Sequence, residues 1–161
     1  MYRMQRIANT NKKGADIVIE TDTIKLLREC DAGVKMGIQS ISEVLDRVQN
    51  YTFRELLYTC KKEHEKLERE LQKLLHKYED EGKGPNFIAE TMAKLKTEMK
   101  LQLNETDQTI AGLMTDGCNM GVKSLNRYLN QYTAADEASK NITKRLIHLE
   151  EQLAIDIRNF L

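Results

Sequence analysis

The chain has 161 residues, of which 40% are hydrophobic and 31% charged, and its 25 basic residues balance its 25 acidic ones. This composition excludes a disordered chain and a membrane-embedded one, and the zero formal net charge argues against a protein that wraps nucleic-acid backbones. The longest apolar run near the start, residues 17–19, is too short for an export signal. Three cysteines without Cys-x-x-Cys spacing predict reduced thiols. We therefore expect a cytoplasmic protein that binds neither nucleic acid nor a membrane.

The spacing of apolar residues predicts a flexible N-terminal segment over residues 1–20 and a helical bundle domain over residues 21–161. Within the domain we predict five helices, at about 21–50, 52–81, 85–103, 105–131 and 134–161. Apolar residues of the first helix follow alternating steps of three and four, which is typical of a helix packed nearly parallel to its neighbours. This seam consists of Ile24, Leu27, Asp31, Val34, Ile38, Ile41, Leu45 and Val48.

The second helix repeats the pattern, and its N-terminus has a signal of its own. Thr52, followed three residues later by Glu55, predicts a capping box at the start of the helix. Pro85 is the only proline and suits the first turn of a third helix, a connector roughly 28 Å long at 1.5 Å per residue. The seam of the second helix consists of Phe53, Leu57, Cys60, His64, Leu67, Leu71, Leu74 and Tyr78.

An internal repeat supports this layout. Residues 33–45 align with residues 117–129, with glycine, methionine, glycine, serine and leucine at matching positions. The chain is therefore predicted to be two helical hairpins joined by a long helical connector. The repeat contains two glycine pairs, Gly33 with Gly37 and Gly117 with Gly121, and each mid-helix glycine costs about 1 kcal/mol relative to alanine. Close approach of two helices is our interpretation of these pairs, and room for a ligand is the alternative.

A hairpin, a long crossover and a second hairpin resemble the ferritin-like four-helix bundle. More narrowly, residues 26–37, 60–75, 87–100 and 110–129, the last of these around Met114-Thr-Asp-Gly-Cys118, resemble an uncharacterised bacterial family of ferritin-like bundles. The resemblance covers roughly residues 22 to 161 and implies an all-α, ferritin-like fold. It implies no particular reaction, because that family has no established activity.

The resemblance raises the question of a di-iron centre. Such a centre takes a glutamate from each of two helices and a Glu-x-x-His motif from each of the other two. Because that motif is absent from this chain, we do not expect ferroxidase or di-iron oxidase chemistry. The residue three positions before each histidine is basic: Lys61 before His64, Lys73 before His76 and Arg145 before His148.

A site for a transition metal other than a di-iron centre is the alternative to a bundle that binds no metal. If the connector returns the chain across the bundle, four residues fall near one level together with Met36: His64, Asp116, Cys118 and His148. Imidazole and thiolate groups would suit copper or zinc. Each residue also has an ordinary interpretation, since a histidine on an apolar face is usually a hydrogen-bonded core residue and cysteine behaves as a small hydrophobe. We expect no cofactor, with a transition metal at these four residues as the alternative.

Asp31 interrupts the apolar seam of the first helix. An ionised carboxylate inside a core is costly unless it is paired or hydrogen-bonded. One interpretation makes Asp31 a metal ligand or a proton carrier. The other makes it a buried anchor paired with a lysine or arginine, or a residue turned toward the mouth of the bundle.

The sequence thus favours a small ferritin-like bundle without a di-iron centre, with a structural or binding role rather than an enzymatic one. The alternative is a bundle that binds a transition metal through the four residues above. A homodimer is left open, and the sequence identifies no other protein partner.

Overall fold

The computed structural model describes residues 2–99 and 106–161. Helices are the only regular secondary structure within these ranges, which confirms the all-α prediction. A short 3-10 helix, Ile157–Phe160, ends the chain. The five α-helices are α1 (Tyr2–Leu45), α2 (Tyr51–His76), α3 (Pro85–Met99), α4 (Asp107–Gln131) and α5 (Glu137–Asp156).

The helix boundaries depart most from the predicted ones at the N-terminus. α1 begins at Tyr2 rather than near residue 21, so the domain boundary predicted there falls within a continuous helix. Residues 13–21 of α1 are exposed, and full burial begins at Thr23. Pro85 is the first residue of α3, as predicted. The predicted end of the third helix near 103 and the predicted start of the next near 105 lie outside the described residues.

Side-chain caps mark the starts of α2, α4 and α5, although not always at the predicted residue. The side chain of Asn50 caps α2 by accepting a hydrogen bond from the backbone N–H of Phe53 at 3.0 Å. The capping box predicted at Thr52 is therefore wrong, because Thr52 already lies in the first helical turn. Thr106 and Asp136 cap α4 and α5 in the same way as Asn50.

Hydrogen bonds at the two ends of the molecule fix the directions of the helices. α1 packs against α2, α4 and α5, and α5 also packs against α2 and α4. The start of α4 lies at the end of α1, because the Asp107 carboxylate accepts from the backbone N–H groups of Gln49 (2.8 Å) and Asn50 (2.7 Å). The start of α5 lies at the opposite end, where Thr23 Oγ1 accepts from the backbone N–H of Asp136 at 2.8 Å. α1 and α5 therefore run in one direction, and α2 and α4 run in the other.

The interior consists of two apolar clusters separated by a polar layer. One cluster, near the α1–α2 turn, includes Phe53 and Leu153, and the other, toward the far end, includes Leu71 and Leu146. These side chains are almost completely removed from water, and burial of apolar area is the main force that holds the helices together. The polar layer between the clusters is the candidate site.

α3 packs outside this interior, on the outer face of α1. Ala32 of α1 and Ile88 and Met92 of α3 form a small buried cluster, and Met36 packs against it. Met36 adjoins Gly37, which lies beside His64, but its side chain packs against the α3 cluster.

Candidate functional site

His64 lies on α2 at the middle of the bundle, with 1% of its surface exposed. Its Nε2 lies 2.9 Å from Oε1 of Glu150 on α5, and its Nδ1 lies 2.9 Å from the carbonyl oxygen of Cys60, one turn earlier on α2. Because a carbonyl oxygen can only accept, Nδ1 carries a proton and donates it. Both ring nitrogens therefore have partners. We call His64 and Glu150 the central pair.

The central pair is an ion pair in the interior. Burial by itself lowers the pKa of His64, but hydrogen bonds to the side chains of Cys60 and Glu150, together with the negative charge of Glu150, outweigh it and raise the pKa from 6.5 to about 10. At neutral pH the imidazolium thus donates one hydrogen bond to the Cys60 carbonyl and one to the Glu150 carboxylate. The attraction is stronger here than at the surface because little water screens it.

Gly37 makes room for the central pair, and a second glycine, Gly121, lies beside it at an ordinary contact distance. A Cβ atom on Gly37 of α1 would lie 2.8 Å from both Cδ2 and Nε2 of His64, and the ring is held in place by its two hydrogen bonds. Gly121 of α4, the counterpart of Gly37 in the internal repeat, lies beside Glu150, where an added Cβ would be 3.7 Å from Cδ. Each of the four long helices therefore contributes one residue to this layer: Gly37, His64, Gly121 and Glu150.

The other two glycines of the repeat have less packing. An added Cβ on Gly33 would make an ordinary contact with Leu146 at 3.6 Å. Gly117 is exposed, and an added Cβ there would meet nothing within 4 Å. The interpretation of the glycine pairs as points of close approach is therefore right for Gly37 and wrong for Gly117.

Two cysteines border the central pair. Cys60 Sγ lies 3.5 Å from Nδ1 of His64. Cys118 of α4 is 2% exposed, and burial, followed by the charge of Glu150 and a hydrogen bond to it, raises the pKa of its thiol far above the usual range. The Cys118 thiol therefore stays protonated and does not supply a thiolate, which is the form that binds metals and attacks substrates.

The structure does not bring the four predicted ligands together. His64 and Cys118 are buried beside Glu150, whereas Asp116 and His148 are exposed. Among the residues that the structure describes, no group of three or more His, Cys, Asp and Glu side chains could hold a metal ion. The residue types at this level are therefore ones that metals prefer, but their arrangement is that of a closed hydrogen-bond network.

His148 lies instead in a surface groove between α2 and α5, with a volume of about 500 Å³. Arg145 and Glu70, which also line the groove, form a two-point ion pair at 2.5 and 2.9 Å. This pair lowers the pKa of Glu70, chiefly through the hydrogen bonds from Arg145. The charges along this part of the groove are therefore largely compensated.

Asp31 is completely buried near the α2–α3 loop, and its carboxylate is fully hydrogen-bonded. Oδ1 accepts from the Gln72 side-chain amide at 2.7 Å, and Oδ2 accepts from Lys35 Nζ at 2.7 Å and from the backbone N–H of Lys83 at 3.2 Å. Gly82, with φ of +75°, lies directly against the carboxylate, where a Cβ atom would collide with it. Asp31 is thus a buried anchor paired with a lysine, which was one of the alternatives the sequence left open.

Sequence reasoning missed Glu150, the partner of His64. The signal was present, because Glu150 follows Leu146 by four residues and precedes Leu153 by three, on the apolar face of α5. Asp31 interrupts the apolar spacing of α1 in the same way. His148, which the sequence favoured as the site residue of α5, lies on the exposed side of the same helix turn.

The chain matches no protein-family model, no curated protein and no solved structure. In the described part of the chain, no helix is long and apolar enough to cross a membrane.

Proposed function

We propose that this chain is a ferritin-like helical bundle without a di-iron centre, and that its role is structural or binding rather than catalytic. The observation that carries the proposal is the central pair. In ferritin-like di-iron proteins, inward-facing carboxylates and imidazoles coordinate metal ions in the bundle core. In this chain the buried imidazole and carboxylate bind each other at 2.9 Å.

The directions of the helices support the fold part of the proposal. α1 and α2 run in opposite directions, as do α4 and α5, while α2 and α4 run in the same direction. Two parallel helices of a bundle need a long crossover between them, as ferritin-like bundles have between their two hairpins. α3 lies between α2 and α4 in the chain and packs along the outer face of α1.

The protonation of the interior groups supports a role without catalysis. A nucleophile or general base needs a free lone pair within reach of a substrate. His64 has a partner at each ring nitrogen, and burial raises the pKa of the Cys30 thiol to about 12. His64 therefore has no free ring nitrogen to act as a base, and Cys30 is not present as the thiolate that attacks substrates.

Elemental analysis of protein purified without chelator or affinity tag tests the proposal. We expect well below one equivalent of any transition metal, and no rise in melting temperature when zinc, copper or iron is added, since a metal that binds the folded state would stabilise it. His64→Ala and His76→Ala form a matched pair, because His76 is exposed and outside every predicted site. A stoichiometric metal that is lost in His64→Ala and kept in His76→Ala would establish the metal-binding alternative and overturn the proposal.

A further inference from the structure

A second groove lies on the outside of the bundle, where α3 packs beside α1; we call it the α3 groove. Its volume is about 370 Å³, within the range of about 300–1,000 Å³ that small-molecule sites occupy. Residues of α1, of the α2–α3 loop and of α3 form most of its lining, and α2 contributes Glu68. Neither member of the central pair lines it.

Half of the residues that line the α3 groove are apolar. They are Ile38 of α1 and, on α3, Pro85, Ile88 and Ala89. Because positions three and four residues apart share one face of a helix, the three residues of α3 form one strip along it. Ile88 is fixed in place, since it is 8% exposed and belongs to the cluster that packs α3 against α1. An apolar body laid along this strip would remove apolar area from water, which favours binding.

The positive charges of the α3 groove already have partners. The ammonium group of Lys35 donates to the Asp31 carboxylate at 2.7 Å and to the carbonyl oxygen of Lys83 at 3.5 Å. The ammonium group of Lys83 lies 3.3 Å from the Glu29 carboxylate. The same contacts fasten the α2–α3 loop to α1, so this side of the groove is formed without a ligand. The two lysines therefore offer little free charge to an anion.

Glu68 is the charged residue of the α3 groove that lacks such a partner. It is half-buried, and among the side chains that the structure describes none forms an ion pair or a hydrogen bond with it. Glu65, three residues earlier on α2, instead pairs with Lys62 at 3.2 Å. Partial burial strengthens the attraction of the Glu68 carboxylate for a cation, because less water screens its charge. The free charge that the groove presents to a ligand is therefore negative.

We propose that the α3 groove binds a small organic cation, namely a primary amine with an apolar body. The ammonium group pairs with the Glu68 carboxylate, and the body lies against Ile38 and the apolar strip of α3. In small-molecule sites a few polar groups set the orientation of the ligand, while apolar side chains supply the contact area. This inference goes beyond the proposed function and does not depend on it, because the groove uses neither His64 nor Glu150.

Three probes of equal length and different charge test the charge preference: hexylamine, hexanol and hexanoate. Each is titrated into the full chain at neutral pH and constant ionic strength, and the NMR signals of the Ile38 and Ile88 methyl groups report binding. We expect saturable shifts with hexylamine, at an affinity at least about fivefold higher than that of hexanol. Hexanoate should bind more weakly than either.

Three variants locate the site. Glu68→Gln keeps the shape of the side chain and removes its charge, so hexylamine should bind no more tightly than hexanol, whose own affinity should not change. Glu63→Gln is the matched control, because Glu63 carries the same charge on α2 but lines the groove between α2 and α5. Ala89→Leu fills part of the strip and should weaken the binding of both hexylamine and hexanol. None of these residues is buried, so all three variants should fold, which circular dichroism checks.

Three outcomes would overturn the proposal. The first is hexanol or hexanoate binding as tightly as hexylamine, because the charge of Glu68 would then not select the ligand. The second is no shift of either methyl signal with hexylamine at millimolar concentrations. The third is an equal loss of hexylamine affinity in Glu63→Gln and Glu68→Gln, which would indicate a general attraction to the acidic side chains of α2. The metal content of the bundle interior affects none of these outcomes.

Discussion

Two buried carboxylates, Asp31 and Glu150, lie in this bundle, and the chain compensates their charges in different ways. Asp31, near one end, has three donors from nearby segments: Lys35 on its own helix, Gln72 on α2 and a backbone N–H of the α2–α3 loop. Glu150, at the middle, accepts from His64 across the interior and from the Cys118 thiol. The Asp31 network fastens a loop to the bundle, whereas the central pair joins two helices through the core.

The difference shows what each network contributes. The Lys35 ammonium of the Asp31 network is partly exposed, so water can solvate it if the carboxylate is lost. The His64 side chain is only 1% exposed, so water could not solvate its imidazole if the partner carboxylate were lost. The central pair should therefore be the more costly of the two to break, and four comparisons test this ranking.

The largest effect is expected for His64→Ala. This change leaves the Glu150 carboxylate buried without its counter-charge, and breaking a buried pair in this way typically lowers the free energy of unfolding by about 3–5 kcal/mol. Urea denaturation measures the loss. The double variant His64→Leu, Glu150→Leu should recover most of it, because an apolar pair of similar volume requires no charge compensation. A loss of less than about 1 kcal/mol in His64→Ala would show that water reaches Glu150 and would contradict the ranking.

A smaller loss is expected for Asp31→Ala. Hydrogen bonds to a charged group are worth about 1.5–3 kcal/mol each, and we expect a net loss of about 2–3 kcal/mol because Lys35 can turn to water. Amide hydrogen exchange of the α2–α3 loop should accelerate in this variant. The control is Glu70→Ala, which removes a carboxylate from the half-exposed pair with Arg145 and should cost about 1 kcal/mol or less. Equal losses in the free energy of unfolding would mean that the Asp31 network contributes no more than an ordinary surface ion pair.

Alanine substitutions at the two repeat-related glycines should have opposite signs. Gly37→Ala gains helix propensity but forces a methyl group to 2.8 Å from the imidazole, and overpacking of this kind costs about 1–3 kcal/mol. Gly117→Ala, at an exposed site with nothing within 4 Å, should raise stability by about 0.5–1 kcal/mol. Thermal unfolding of both variants measures the contrast, and a stabilised Gly37→Ala would show that His64 can move.

The smallest effect is the change in the free energy of unfolding with each unit of pH. Because the pKa of His64 is raised from 6.5 to about 10, the pair contributes its full stability below pH 6.5 and loses it progressively as the pH rises toward 10. One titrating proton gives a slope of at most about 1.4 kcal/mol per pH unit. Denaturation between pH 6.5 and 8.5 should show a steeper decline for the wild type than for His64→Leu, Glu150→Leu, and the titration of the three thiols, which both chains share, cancels from the comparison. Parallel curves would mean that His64 is neutral in the folded chain.

Much of the fold could be predicted from the sequence, because helical periodicity and capping are local. The seam of α2 predicted the burial of Phe53, His64 and Leu71, and Pro85 marked the start of α3. The start of α1 could not be predicted, because residues 1–20 lack the long series of apolar residues at three- and four-residue steps that marks the bundle helices.

The candidate site was only half predictable for a related reason. His64 and Asp31 stand out because a polar residue interrupts an apolar spacing, and the lysine partner of Asp31 lies one turn away on the same helix face. Glu150 interrupts the spacing of α5 just as clearly, but its partner lies 86 residues away in the chain. Sequence spacing relates residues within one helix, and it does not specify which turns of two different helices lie at the same level.

The sequence by itself therefore determined that this protein is all-α, where most helices begin, which faces are buried and that Asp31 needed a partner. Those features follow from the helical repeat and from the cost of burying a charge, which act over a few residues. Only the tertiary structure decided that His64 binds Glu150, that Gly37 must be small and that His148 and Asp116 stay in water. These depend on the axial offset between packed helices, which the interlocking of their side chains sets over the whole bundle.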